Sequence, residues 1–472
     1  MGTTISKRDI IALTTPETLD VSKIWDLWLP KYIPESVYKQ LSGSEKAKFR
    51  LELLFAIAAP IPRAVQYIVA EVRDYFKKPQ DSDMLKAIDS KTLEELYTKS
   101  FAKLERNYYS ICGITVLPKH ARAILFESNI NLDENLVEMV KYSLLTNSLK
   151  SINEKILLYP KTSTLSMKIF LKDKSENYWK SVRHAIEKLD ELFTEEPNKV
   201  KLGQFLEAAV RGLINARLYV MMKLALDAKS THSEKLPVTI KELLLLDDLD
   251  RIKGASDKLL TKLEYDFLVP PCKNSLSKIF LSDSYTEKKK FFSSANIEPS
   301  IVGNIFELLP FPDKECFDYV FLFSAAIEGK PFAVFIDTKS GRQLPSKVVE
   351  TKNQDFFNFS DFQSKGSQAL HMLEIAKEAK AWDPTTVKKN SLLEALREDN
   401  FLYIYVNTGE SVPSFAVGDF VMQLGETDSK CLLSFLLEPY RLVRAASTLP
   451  QEFDKKERYK ENSHSPGVSI FK

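Results

Sequence analysis

A chain of 472 residues, 44% hydrophobic and 28% charged, has the composition of an ordinary folded protein, and at about 150 residues per domain it holds roughly three domains. Its 66 Lys and Arg against 64 Asp and Glu leave a formal charge of +2. That excludes a bulk field that would draw in nucleic acid or an acidic membrane, so any anionic partner must be held by a local patch. Only 14 glycines are present, and neither G-x-x-x-x-G-K-[ST] nor G-x-G-x-x-G occurs. A self-sufficient P-loop ATPase and a Rossmann enzyme are excluded, and no nucleotide cofactor is expected in this chain.

Cys112, Cys272, Cys316 and Cys431 stand singly, without the C-x-x-C spacing of a zinc or dithiol site, so reduced thiols are expected. His120, His184, His232, His371 and His464 form no H-E-x-x-H or H-x3-H pair, which argues against histidine-centred metal chemistry. The N-terminus lacks the apolar core of a secretory signal, and no run approaches the ~20 apolar residues that span a bilayer, so neither a membrane partner nor classical export is expected. Met1-Gly2-Thr3-Thr4-Ile5-Ser6 fits the pattern for N-myristoylation. No polybasic stretch follows it, and a single acyl chain binds membrane only marginally.

In chain order, residues 44–76 read as a helical hairpin hinged at Pro60-Ile61-Pro62, with Phe49, Leu53, Leu54 and Ile57 on one side of the break and Val65, Ile68, Val69 and Val72 on the other. Arg63 falls in the first turn of the second helix, where its charge opposes the helix dipole. It is either half of a surface ion pair or an anion sensor. Leu93, Leu96, Tyr97, Phe101 and Leu104 mark another helix over 84–112, and a cap-like Asn131 precedes a helix through Leu144. Ile156-Leu157-Leu158 and Met167-Lys168-Ile169-Phe170, flanking Pro-Lys-Thr-Ser-Thr, read as a strand pair. Helix plus hairpin then makes a module of winged-helix type, binding either DNA or only a protein partner.

Trp179, Val182, Ile186, Leu189 and Phe193 stripe a long helix, and a second from Leu202 to Leu226, apolar on nearly all sides, is expected at the centre of the core. Residues 229–300 alternate short helical pieces with polar loops. They include Lys288-Lys289-Lys290, either a solvated face or a phosphate contact. From about residue 300 the rhythm changes to α/β, with strands at 317–327, 331–337 and 401–406 and an amphipathic helix near 361–380. The polar stretch from Gln451 is expected to fray.

Chemistry concentrates between residues 305 and 341. Asp318 opens a hydrophobic strand, Glu328-Gly329-Lys330-Pro331 turns the chain, and Phe332-Ala333-Val334-Phe335-Ile336 returns as a buried strand ending in Asp337-Thr338-Lys339. Side chains alternate along a strand, so Asp337 and Lys339 share a face, and pairing about the turn brings Asp318 to the same end of the sheet. Two such carboxylates suit Mg²⁺ (or Mn²⁺), which takes hard oxygen ligands and completes its shell with water and substrate phosphate. The lysine is placed to orient the attacking water and offset charge on phosphorus. Glu307, on the apolar segment ahead of the hairpin, is a third acid. The contrary reading is a solvated rim ion pair, worth little energetically.

This pattern resembles the PD-(D/E)xK (restriction-endonuclease-like) nuclease core, in which a helix-borne acid precedes Asp on one strand and (Asp/Glu)-x-Lys on the next. The matching positions are Glu307, Asp318, Asp337 and Lys339. The resemblance implies a further polar residue on the following helix, for which Gln363, Lys365 and Gln368 are candidates. The segment APIPRAVQYIVAEV, residues 59–72, is similar to the PR-x-hydrophobic lid helix that follows the ATPase core in Crinkler and RHS-type (retrotransposon hot spot) effectors, which places Arg63 at the family's lid arginine. Two departures stand out: the Walker motifs are absent, and so is a translocation region. The expectation is either the distal portion of a longer protein or a lineage without its ATPase, and Arg63 takes no NTPase role here.

The sequence thus reads as an α+β multidomain chain with helical N-terminal and middle regions and a C-terminal α/β restriction-endonuclease-like core. Its expected parts are a helical lid-like domain (1–112), a helix-plus-hairpin module (113–172), a helical region (173–300), the nuclease-like domain (301–450) and a tail (451–472). The expected function is metal-dependent hydrolysis of DNA, with Asp318 and Asp337 on the metal, Lys339 on the water and Glu307 in support. The resemblance implies an effector acting in a nucleus, a host's among them, with host nuclear proteins as further partners. The alternatives are a catalytically inactive nuclease fold used as a nucleic-acid or protein-binding platform, and a regulatory partner of an ATPase.

Overall fold

Proline and apolar spacing set the first helical unit. Helix α1 (Glu35–Ser42) leads through Gly43 to α2 (Glu45–Ala58), which is capped by Ser44 accepting from Ala47 N; the break at Pro60-Ile61 then restarts the chain as α3 (Pro62–Phe76) with proline at its first position. Val65, Ile68, Val69 and Val72 face inward as their spacing predicts, and Arg63 is exposed in the first turn. This computed structural model describes residues 20–77, 90–107, 113–142, 144–152, 155–175, 177–194, 199–230, 238–246, 253–254, 256–263, 268–272, 305–308, 319–323, 330–339, 373, 376–388, 391–408, 419–424 and 432–448. Lys288-Lys289-Lys290, Asp318, Gln363, Lys365, Gln368 and the stretch from Gln451 lie outside them.

Helix α4 (Ser90–Asn107) is followed by the small module: α5 (Pro118–Leu125), β1 (Ile130–Asn131), α6 (Glu134–Lys141), β2 (Thr146–Ile152) and β3 (Lys155–Lys161), with strand order β1-β3-β2, all antiparallel. Helix plus hairpin is as expected, but two details differ. The cap of α6 is Asp133, whose carboxylate accepts from Leu136 N, while Asn131 belongs to β1. The partner of the 155–161 strand is Thr146–Ile152, because Met167–Phe170 lies in α7 (Thr164–Leu171), started by the Ser163 hydroxyl accepting from Ser166 N. Nearly every side chain of α7 is buried, so no 3.6-residue stripe distinguishes it from a buried strand.

Helices α8 (Asn177–Thr194) and α9 (Lys199–Ser230) pack along each other, and α9 runs through the centre with Phe205, Leu206, Val210, Leu213 and Leu218 fully buried. Tyr97 of α4, Lys168 of α7 and Asp190 of α8 are tied together, the phenol donating to Asp190 Oδ1 at 2.7 Å and the lysine reaching Asp190 Oδ2 at 2.6 Å. Burial pushes the Tyr97 phenol well above its ordinary range, and the charge of Asp190 adds to that.

After β4 (Val238–Thr239) and α10 (Ile240–Leu244) come β5 (Lys253–Gly254), α11 (Ser256–Leu259), β6 (Lys262–Leu263), β7 (Leu268–Cys272), β8 (Ile305–Leu308), β9 (Tyr319–Phe323) and β10 (Phe332–Lys339). Helices α12 (Pro384–Lys388) and α13 (Ser391–Arg397), β11 (Phe401–Asn407), β12 (Val421–Leu424) and α14 (Leu437–Thr448) complete the described chain. Seven strands form one sheet in the order β5-β12-β11-β10-β9-β8-β7. Strands β8, β9 and β10 make an antiparallel meander, after which the chain crosses through helical segments to β11, parallel to β10, and on to β12, parallel to β11.

One sheet face carries Phe321, Phe323, Val334, Ile336, Leu402, Ile404, Val406, Met422 and Leu424 into the same hydrophobic cluster as α9 and the N-terminal helices. The other carries Ala333, Phe335, Asp337, Phe401, Tyr403 and Tyr405, all buried, on the side where α13 meets β10 through a layer that includes Leu392, Leu393 and Leu396. Burial on both faces explains the unbroken apolar runs of β10 and β11. The expected boundary at residue 300 does not hold for the sheet, whose two outermost strands, β5 and β7, come from 253–254 and 268–272. Strands of two and five residues, the latter containing Pro270-Pro271, carry no alternation from which they could be read.

Candidate functional site

Asp337 is the sixth residue of β10, near the carboxyl ends of the parallel strands, where ligands bind in open α/β sheets. It is 1% exposed, a carboxylate among Phe335, Ala333 and Phe401 on its face. Its Oδ2 accepts a hydrogen bond at 3.3 Å from the hydroxyl of Tyr403, itself fully buried in β11. Lys339 ends the strand two residues on, in register with Asn407, so the D-x-K spacing falls within a single extended segment as expected.

The β9–β10 register pairs Tyr319 with Ile336, the residue before Asp337. Asp318 precedes Tyr319 in sequence, and its own position lies outside the described residues. Glu307 departs from the expectation. It sits in β8, a strand and not a helix, paired with Phe321, which pairs in turn with Val334. Val334 and Asp337 are three residues apart, so Glu307 occupies a row of opposite parity to the Asp337 row. The cause is local: Ile305-Phe306-Glu307-Leu308-Leu309 is stopped by Pro310 and Pro312, too soon for an amphipathic helix to bury a stripe, and the β9 edge satisfies its backbone instead.

At the opposite end of the strands Lys258 of α11 lies over the ring of Phe420 at 4.6 Å, close to Phe332 and Phe401, and donates to the carbonyl of Asp399. Burial holds this ammonium below the usual lysine range against the pull of Asp399 and Asp419. Phe332 and Asp337 are five residues apart, about 16 Å along a strand, so Lys258 fastens the far end of the sheet and takes no part at Asp337.

A second polar cluster sits in the small module. His120 is fully buried, its Nε2 2.7 Å from Asp133 Oδ2, which also meets Lys119 Nζ at 2.7 Å, while Asp133 Oδ1 caps α6. A carboxylate only accepts, so Nε2 carries the proton. Nδ1 is left without a partner among the described residues. Burial alone would raise the Asp133 carboxyl, but the bonds from Lys119, His120 and Leu136 N outweigh it and hold it below the ordinary range. A folded-state value below the unfolded one, about 3.9, gives stability that is present above the unfolded value and lost as pH falls through the folded one. Asp133→Ala should therefore cost about 2 kcal/mol at neutral pH, cap and orphaned imidazole together. The deficit should shrink below pH 4, as checked by urea unfolding at pH 7 and pH 3.

Among the described residues no three His, Cys, Asp or Glu side chains gather closely enough to hold a metal ion, and no helix is long and apolar enough to cross a membrane. For a hard divalent cation the fit on the described residues is one oxygen donor, Asp337, oriented by a hydroxyl. Compared with protein-family models, curated proteins and solved structures, the chain matches none. The tyrosine at position 403 was not singled out from sequence, although Tyr403 and Tyr405 recur at the strand period and so share the row of Asp337.

Proposed function

We propose that this chain is a divalent-metal-dependent phosphodiesterase acting on DNA, built on a nuclease core of PD-(D/E)xK type. The observation that carries the reading is the position of Asp337-Thr338-Lys339 at the carboxyl end of β10. That strand closes an antiparallel three-strand meander and leads through helical segments to a parallel neighbour. A buried carboxylate in an apolar layer is costly, which favours a role for it beyond packing. Asp337 and Asp318 would hold Mg²⁺ or Mn²⁺, Lys339 would align the attacking water, and the bound ion would supply Lewis-acid stabilisation of the charge on phosphorus. Glu307, in the row of opposite parity, is left out of this set.

The likeness of residues 59–72 to the lid of Crinkler and RHS-type effectors extends the reading to a nuclear site of action, with host nuclear proteins as further partners. A second reading, a catalytically inactive platform that binds nucleic acid or protein, is favoured by the single carboxylate on the site row among the described residues. Supercoiled plasmid distinguishes the two. Mg²⁺- or Mn²⁺-dependent nicking that a chelator stops is the expected result; DNA retention without nicking under any divalent ion selects the platform.

A further inference from the structure

We infer that Tyr403 is a positioning residue for the Asp337 carboxylate and sets how tightly a divalent cation is held there. The inference rests on the reading of Asp337 as a metal ligand.

The backbone pairing makes the contact a directed one. Asp337 is in register with Tyr405, and Tyr403 with Phe335. To reach Asp337 the Tyr403 ring must run along the strand by two residues, about 7 Å. It does so fully buried, and its hydroxyl ends 3.3 Å from Oδ2. Neighbours on the same face are benzyl rings: Phe335 and Phe401 pack edge to face with centroids 6.3 Å apart. Phenylalanine would fill the Tyr403 position equally well by that standard, so the hydroxyl is what the position adds. A carboxylate turns about its Cβ–Cγ bond and offers four lone-pair directions. A donor fixed on Oδ2 selects one rotation and leaves Oδ1 to a cation. Hydrogen bonds of this kind to a ligating carboxylate commonly govern metal affinity by about 10–100-fold. At 3.3 Å the bond is longer than a relaxed hydroxyl–carboxylate contact, so it has room to shorten once the carboxylate is drawn toward a cation.

The test is titration of the full chain with Mn²⁺ alone, without nucleic acid, following the spin-resonance signal of free Mn²⁺. Wild type should bind, Asp337→Ala should not, and Tyr403→Phe should bind about 10-fold more weakly. Thermal unfolding without metal separates this from a structural role. A bond to Asp337 predicts that Tyr403→Phe loses stability in the wild-type background and none in the Asp337→Ala background; a packing role predicts equal losses. If wild type binds no Mn²⁺, or Asp337→Ala binds as wild type does, the metal reading itself fails. Binding by wild type and Tyr403→Phe alike, with loss only in Asp337→Ala, overturns this inference and spares that reading. Should Tyr403→Phe alone not fold, the double variant decides: recovery of folding supports the coupling, and failure of both while Asp337→Ala folds overturns it.

Discussion

Asp337→Ala is expected to lower metal-dependent plasmid cleavage by at least about 100-fold, because a ligand that holds the activating ion serves the transition state directly and each tenfold loss corresponds to only about 1.4 kcal/mol. The substitution removes a carboxylate that is 1% exposed, so the buried charge disappears together with its desolvation cost. What is lost from the fold is the acceptor for Tyr403, worth about 1 kcal/mol, partly offset by that relief. Circular dichroism and the unfolding midpoint should therefore stay near wild type while cleavage falls. Lys339→Ala should instead leave Mn²⁺ affinity unchanged and lower turnover by about 10–100-fold, since a protonated lysine cannot ligate the ion and acts on the water or the phosphorus. The two variants thus separate ion binding from alignment. Matched preparations of wild type and Asp337→Ala that cleave equally would place the activity elsewhere, in another site or in a contaminating nuclease.

What could be read from sequence followed the strength of each periodic signal. The proline hinge, the stripe of α8 and the all-round apolar α9 are long elements whose burial pattern fixes them, and they stand as read. Strands β9, β10 and β11 were legible because strands buried on both faces are continuous apolar runs. Two kinds of element were not legible. Thr146–Ile152 is a polar edge strand with faint alternation, and Thr164–Leu171 is a fully buried helix with no stripe, so the hairpin was assigned one strand too late. Glu307 was assigned to a helix by likeness to a family pattern, whereas its five-residue apolar run between a loop and two prolines had only a neighbouring strand with which to pair. At the site, the Asp337-x-Lys339 spacing was visible in sequence. The Tyr403 contact needed the register, because a residue two positions off the paired one reaches Asp337 only once β10 and β11 are known to be parallel.

Arg217→Ala should be among the most destabilising single changes in the chain, costing about 3–5 kcal/mol. Helix α9 reads as apolar on nearly all sides, yet at its centre Arg217 is fully buried. Its guanidinium donates from Nε to the Leu125 carbonyl at 2.8 Å, from Nη1 to Leu243 at 2.7 Å and from Nη2 to Leu432 at 3.2 Å. Leu125 closes α5 and Leu243 lies in the last turn of α10, so two of these acceptors are helix C-terminal carbonyls, which carry partial negative charge and lack a partner within their own helix. One side chain thereby satisfies backbone groups from the small module, from the segment after α9 and from the stretch that begins the C-terminal helix. Those three places are separated by 92, 26 and 215 residues from Arg217, which is why no sequence window revealed the contact. Arg217→Met separates the contributions. It restores most of the volume, so the cavity cost largely vanishes, but leaves three buried carbonyls without this donor, at about 1 kcal/mol or more each. Arg217→Lys keeps the charge, but a single compact ammonium cannot span three divergent acceptors, so it should rescue little. Urea unfolding of the three variants should rank them Ala as the least stable, then Lys and Met, all well below wild type. A Met variant as stable as wild type would show that the fold is held by packing around α9 and that the three carbonyls find other donors.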